Sequence, residues 1–205
     1  MQDLQLVSDV LLKPQGFTMD DLPVFLSALA STTIDAADLY FQQRISESWI
    51  LEDGLVKEGS FNLDQGVGVR AIAGEKTGFS YSQALNKPAL MTAIEAARSI
   101  VCAGQQGRVQ VLKTQPQQLL YPIDNPLDHL DRTQKVELLQ RIDLATRALD
   151  PRIIRVSVSL AGSWEHILVA ANDGCLAGDI RPLVRFNVSV KIGRASCRER
   201  VCQYV

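Results

Sequence analysis

From Val67 to Ala73 the chain alternates: Val67, Val69, Ala71 and Ala73 stand between Gly68, Arg70 and Ile72. A period of two is that of a strand with one buried face, so the pattern predicts a strand over 67–73. Trp49 to Leu51 and Leu55 to Phe61 are two further β-prone runs, separated by Glu52-Asp53-Gly54, where Asp-Gly supplies the positive φ angles of a tight hairpin. Asn62 to Gly66 and Gly74 to Thr77 read as the later turns, and Phe79 to Tyr81 closes an antiparallel meander of four strands. Asp53, Gly54, Gly66, Gly68, Gly74 and Gly78 are its structural turn residues, with Asp173 and Gly174 their counterparts further on.

Helical spacing governs other stretches. Leu4, Val7, Leu11 and Leu12 predict a short helix over 3–13, closed by Pro14. Asp20 to Ala30 reads as a second helix, with Thr18 as N-cap and Pro23 tolerated in the first turn. Ala36 to Ile45 then alternates as a strand. Lys87 to Val101 carries Leu90, Ile94, Ala97 and Val101 on one stripe and suits a helix covering the sheet. Asp131 caps a helix over Arg132 to Leu149, with Gln134 reaching back and Val136, Leu139, Ile142 and Leu149 as its apolar stripe. Ile153 to Leu160, Trp164 to Ala170 and Leu183 to Val190 read as strands.

The fold class is therefore α+β: antiparallel β-meanders packed with helices in two helix-plus-sheet units, the second truncated. The predicted boundaries are 1–103 for the first unit, 104–126 for a linker rich in Gly, Pro and Gln, and 127–191 for the start of the second. In the second unit Leu183 to Val190 would be left as an unprotected edge.

Gly66, Gly68 and Ala71 also satisfy the dinucleotide pattern G-x-G-x-x-[GA], which needs a helix after the glycines. Val-Arg-Ala-Ile-Ala-Gly follows instead and favours a strand, so a bulge or a close backbone approach explains these glycines better.

Composition narrows the function classes. The chain has 205 residues, 46% apolar and 21% charged, with a net charge of −2, as in an ordinary soluble globular protein. No basic stripe precedes residue 190, which argues against a nucleic-acid partner, and no apolar run approaches the length of a spanning helix, which argues against a membrane role. The first residues lack a basic leader, and a cytoplasmic location is the expectation. Cys102 and Cys175 are isolated and read as small buried hydrophobes rather than ligands or a disulfide.

Several motifs together carry a resemblance: Glu47-Ser48-Trp49 with Leu51-Glu52-Asp53-Gly54, the segment DQGVGVRA from Asp64, Lys76-Thr77-Gly78-Phe79, Ala171-Asn172-Asp173-Gly174, and DIRPLVR from Asp179. From Leu4 to about Lys191 the chain resembles the N-terminal region of the TldD branch of the TldD/PmbA metalloprotease family. Residues 192–205, holding IGRASCRERVC, resemble a translated sequencing adapter and read as a non-native tail.

The resemblance implies a parent zinc metallopeptidase that cleaves unstructured peptides, acting as a dimer with a PmbA-type subunit or with itself. The family's His-Glu-x-x-x-His helix is absent from these residues, so no catalytic or metal role transfers to any position here, and the fragment is expected to be inactive and to bind no zinc. The alternative is a non-catalytic, PmbA-like interaction subunit.

The residues themselves agree: His129 and His166 stand in no ligand motif, and the neighbours Glu165 and His166 on a strand point to opposite faces. Candidate peptide contacts are Arg70 and Lys76, as partners for a carboxylate, and Trp49 as an aromatic surface; Lys57 carries the same charge, and Tyr81 and Trp164 offer the same kind of ring.

Overall fold

The computed structural model describes residues 2–30, 34–101, 112–114 and 121–193. Its elements are α1 (Gln2–Leu11), α2 (Leu22–Leu29), β1 (Ala36–Glu52), β2 (Leu55–Ala73), β3 (Lys76–Ser82), α3 (Lys87–Val101), β4 (Lys113–Thr114), α4 (Arg132–Leu149), β5 (Ile153–Ala171) and β6 (Cys175–Ile192). The strands form one six-stranded sheet in the order β3-β2-β1-β5-β6-β4. β2 and β3 pair antiparallel, and β4 runs parallel to the first residues of β6. Asn172 N–H donates to the Ala37 carbonyl and Asp53 N–H to the Val156 carbonyl, which makes β1 and β5 antiparallel as well.

The mixed helix-and-sheet class matches expectation, but the strands are fewer and longer than the turn residues predict. The meander of four short strands, together with Ala36 to Ile45, is three strands of 17, 19 and 7 residues. Asn62 to Gly66 is not a turn but lies inside β2, and Trp49 to Leu51 continues the strand that begins at Ala36. Ile153 to Leu160 and Trp164 to Ala170 likewise fuse through Gly162 into β5. The two meanders join because β1 pairs with β5. Pairing on both sides satisfies the backbone of polar stretches such as Gln42 to Ser48 whatever their local turn preference.

The turn residues divide accordingly. Asp53 (φ 49°) and Gly54 (φ 78°) form a two-residue hairpin turn with left-handed backbone at both positions, while Gly74 and Gly174 have φ of 56° and 93°. Asp173 accepts from Cys175 N–H in the same turn as Gly174. Gly66, Gly68 and Gly78 are not turn residues: all three lie within strands. Close approach is their reason. A Cβ on Gly66 would come within 2.9 Å of the Ser82 carbonyl oxygen, and one on Gly78 within 2.1 Å of the Ala97 carbonyl oxygen of α3.

Two compact units share these strands, each built from separate stretches of chain. Unit 1 takes residues 1–44, 64–122 and 165–180; unit 2 takes 45–63, 123–164 and 181–205. In unit 1, α1, α2 and α3 supply Val7, Leu11, Leu22, Phe25, Leu26, Leu90 and Ile94 to a core completed by Leu39 and Phe41 of β1 and Val69 and Ala71 of β2. Burial at these alternating strand positions leaves the even-numbered residues of β1 and β2 on the other face. α2 is preceded by a 3-10 turn at Met19–Asp21, where the Asp21 carboxylate accepts from Thr18 N–H at 2.8 Å and Thr18 Oγ1 at 2.9 Å.

In unit 2 the core gathers Leu51, Leu139, Val156 and Val158, with Trp49, Ile142 and Phe186 packed against it. α4 has the capping box its sequence predicts: Gln134 N–H donates to Asp131 at 2.8 Å and Asp131 N–H to Gln134 Oε1 at 2.9 Å. Its buried stripe differs from the expected one. Leu149 is 83% exposed, whereas Lys135 and Asp143 are buried. Among the described residues nothing pairs with the outer side of β6 beyond Leu176, and Pro182 sits there, where a missing N–H costs no ladder bond.

The predicted linker falls largely on residues 104–111 and 115–120, and the tail from 194 on; both lie outside the described residues, as do Cys102, Cys197 and Cys202. Cys175 is a free, half-buried thiol.

Candidate functional site

On the face of unit 1 away from α3, side chains of β1, β2 and β3 line a groove of about 490 Å³, within the range of small-ligand clefts. Its geometry follows from cross-strand register. Arg70 pairs with Asp38 (Nε to Oδ2 2.8 Å), Gly68 lies against Tyr40 Cβ, and Gln43 donates to Gln65 at 3.4 Å. All three share one antiparallel register, which sets Gln42 across from Gly66 and Arg44 across from Asp64. On the far side Gly68 is paired with Tyr81 and Arg70 with Phe79. Gly66 and Gly68 are thus a floor one strand wide, between a wall of Tyr40, Gln42 and Arg44 and a wall of Phe79 and Tyr81.

Phe79 and Tyr81 remain 59% and 69% exposed. Phe79 leans over the floor, its ring 3.4 Å from where a Gly68 Cβ would stand. The Arg70–Asp38 ion pair stands one row along the strands from Gly68 and Tyr40, beyond the groove's lining. At the other end, Arg44 and Asp64 face each other with no hydrogen-bond or ion-pair partner among the described residues. Gln42 donates to Glu165 of β5.

Of the predicted contact residues, Arg70 is held by Asp38 outside the groove's lining, and Lys76 opens β3 opposite Ala73. Trp49 belongs to unit 2, where its ring packs on Gly59, a Cβ there standing 3.0 Å from the ring. The three are not brought together. Tyr40, Gln42 and Arg44 escaped sequence reasoning, although their signal was present: polar positions alternating with the buried Leu39 and Phe41, opposite two glycines.

A second cluster of charges ties α4 to the β1–β2 hairpin. Arg147 donates to Asp53 at 2.5 Å and to the buried Asp143 at 3.1 Å, and Arg155 stands 3.5 Å from Asp53. The Arg147 hydrogen bond, then the Val156 N–H, hold the Asp53 carboxyl below its ordinary range. Elsewhere in unit 2, Lys135 is buried against Glu47 and donates to the Leu127 carbonyl at 2.6 Å. In unit 1, burial pushes the His166 imidazole below its usual value. Each of these groups has a structural explanation.

The dinucleotide pattern finds no helix after its glycines: β2 continues to Ala73 and β3 follows. Residues 37–101 match the family model described as PmbA/TldA metallopeptidase domain 1, and residues 125–201 match the PmbA/TldA metallopeptidase central domain.

The chain belongs to the TldD/PmbA family.

A Haemophilus influenzae relative named metalloprotease TldD homolog is 42% identical over 199 residues, and a Buchnera aphidicola relative of the same name is 40% identical over 196. These alignments cover 96% of this chain but 41% of each relative, so the chain spans about two-fifths of the length of the curated relatives it matches. The match to the central domain runs to residue 201 and so takes in part of the segment read from sequence as a non-native tail.

Among solved structures, a Thermotoga maritima protein described as a proposed modulator of a DNA gyrase superposes with a TM-score of 0.68 at 16% identity, covering 91% of this chain and 42% of that one. TldE from Thermococcus kodakarensis gives 0.64 at 14%, with coverage of 91% and 42%. At such identities the likeness is one of fold.

The relatives' names imply a metal for those proteins. The residues described here do not fit one: among them no three His, Cys, Asp or Glu side chains converge. His129 is exposed, and His166 is buried on β5. No helix among the described residues is long and apolar enough to cross a membrane.

Proposed function

We propose that this chain is the substrate-holding, non-catalytic part of a TldD-like zinc metallopeptidase that cleaves unstructured peptides, assembled with a PmbA-type subunit or a second copy of itself. One observation carries the reading. Nearly the whole chain aligns at about two-fifths identity with proteins named metalloprotease TldD homologs, yet it spans only 41% of their length and gathers no metal-capable cluster among its described residues. Peptide hydrolysis by a metal enzyme needs an ion held by several protein ligands with a position left open for water. In this reading those ligands come from the part of the family's protein beyond the two matched domains, and this part shapes the surface on which a peptide is held. A cytoplasmic location belongs to the same proposal.

The test compares the complete gene product with this chain. Metal content and cleavage of an unstructured peptide are measured for both, with and without a chelator. Stoichiometric zinc and chelator-sensitive cleavage are expected of the complete protein, and neither of this chain. Zinc bound by this chain overturns the assignment of a non-catalytic part. A complete protein without zinc or cleavage overturns the peptidase and leaves a PmbA-like interaction subunit.

A further inference from the structure

The trough floored by Gly66 and Gly68 has a shape and a charge pattern that select among ligands. Three rows of side chains cross it: Tyr40 with Tyr81, Gln42 with Gln83 just past the end of β3, and Arg44 with Asp64. From Arg44 and Asp64 to Tyr40 and Gly68 is four residues of strand, about 13 Å at the usual rise. A groove one strand wide between two rows of side chains fits an extended chain better than a compact metabolite.

The open end of the trough decides the chemistry. Arg44 and Asp64 face each other across β2, and neither has a partner among the described residues. A polyanion would meet Asp64, and a polycation would meet Arg44. A peptide unit has both poles: its carbonyl accepts from a guanidinium and its N–H donates to a carboxylate. The Gln83 amide, also without a partner among the described residues, offers the same pair of functions in the next row. The exposed rings of Phe79 and Tyr81 supply apolar surface for a side chain, as aromatic groups do at interfaces.

We infer that this trough is a peptide-binding subsite that takes an extended segment of about four residues, with Arg44 and Asp64 clamping a peptide unit at one end and Phe79 and Tyr81 receiving a side chain. The inference rests on the peptidase reading for its ligand class but requires no metal, and it makes Arg44 and Asp64 determinants of peptide affinity rather than participants in hydrolysis.

The test is a titration of this 205-residue chain against a short, end-blocked, fluorescein-labelled peptide rich in Ser, Asn and Phe, followed by anisotropy in the presence of a chelator. Saturable binding is expected for the unaltered chain. Gly68→Leu, which fills the floor, should weaken it roughly tenfold or more, as when a pocket loses room for a methylene. Arg44→Gln, at an exposed and unpaired position where folding is not at stake, should weaken it a few-fold, the worth of one hydrogen bond. Lys57→Ala, on β2 outside the trough, should leave it unchanged. Absence of binding by the unaltered chain, or equal affinity in the Arg44→Gln chain, overturns the inference. A complete protein that neither binds zinc nor cleaves peptides would overturn the proposed function while leaving this binding intact. Conversely, unchanged KM in a complete protein carrying Arg44→Gln would sink the subsite and spare the peptidase.

Discussion

Arg147 bridges Asp143 on its own helix and Asp53 at the tip of the β1–β2 hairpin, with bonds of 3.1 Å and 2.5 Å. Asp143 is 3% exposed and no other cation stands within ion-pair distance of it among the described residues, whereas Asp53 is at the surface and also has Arg155 nearby. Removing the guanidinium therefore matters mainly through Asp143, which would be left as a buried carboxylate without its counter-charge. Arg147→Ala should shift the urea midpoint of unfolding to lower denaturant. Adding Asp143→Leu should recover most of that loss, because the group left unpaired is then gone.

The same logic governs Lys135. Its ammonium is buried, paired with Glu47 of β1, and donates to the Leu127 carbonyl at 2.6 Å. Lys135→Met strips the charge and leaves Glu47 in a poorly solvated place, with an expected loss of about 3–5 kcal/mol. The double replacement Lys135→Met with Glu47→Leu should be close to neutral. A single variant as stable as the unaltered chain in thermal unfolding would show that the pair contributes nothing.

Lys135 and Asp143 also mark where sequence reasoning stopped. The span of α4 and its Asp131–Gln134 cap were legible, since capping is local chemistry, and α3 was equally so. The stripe on α4 was not. Val136, Leu139, Ile142 and Leu149 follow helical spacing, but Leu149 is exposed, and the two charged residues are buried because partners from β1 and from the helix itself meet them. Strand number failed for a related reason. Asp64, Gln65 and Gly66 form a turn signal in isolation, and only pairing with β1 keeps them extended. The trough was hidden by the same convention: Tyr40, Gln42 and Arg44 read as a solvated face until the register placed two glycines opposite them.

Gly78 and Gly68 differ in neighbour rather than in backbone angle. A Cβ at Gly78 would stand 2.1 Å from the Ala97 carbonyl oxygen, a backbone atom of α3 that cannot swing aside. One at Gly68 would stand 3.4 Å from the Phe79 ring edge, a side chain with room to turn. Gly78→Ala should thus push α3 off the sheet at a cost of roughly 1–3 kcal/mol, while Gly68→Ala should change stability by well under about 1 kcal/mol. Denaturant midpoints for the two variants check the contrast, and equal midpoints would refute it.

Stability should fall in two separate stages as the solution is acidified. His166 is 1% exposed and its pKa is lowered by burial, so the unfolded chain binds the proton that the folded chain refuses. That stabilisation is complete above the unfolded value of about 6.5 and is lost as pH falls below it. Asp53, held down by Arg147 and the Val156 N–H, and Asp150, held at about 2 by Arg152, also have depressed folded values. Their contribution is intact above the unfolded carboxyl value of about 4 and disappears between there and about 2. The melting temperature of this chain should accordingly decline first as pH falls below about 6.5 and then again below about pH 4. His166→Gln should flatten the first decline and leave the second, and Arg152→Ala should soften the second alone. A first decline that persists in the His166→Gln chain would assign it to some other group.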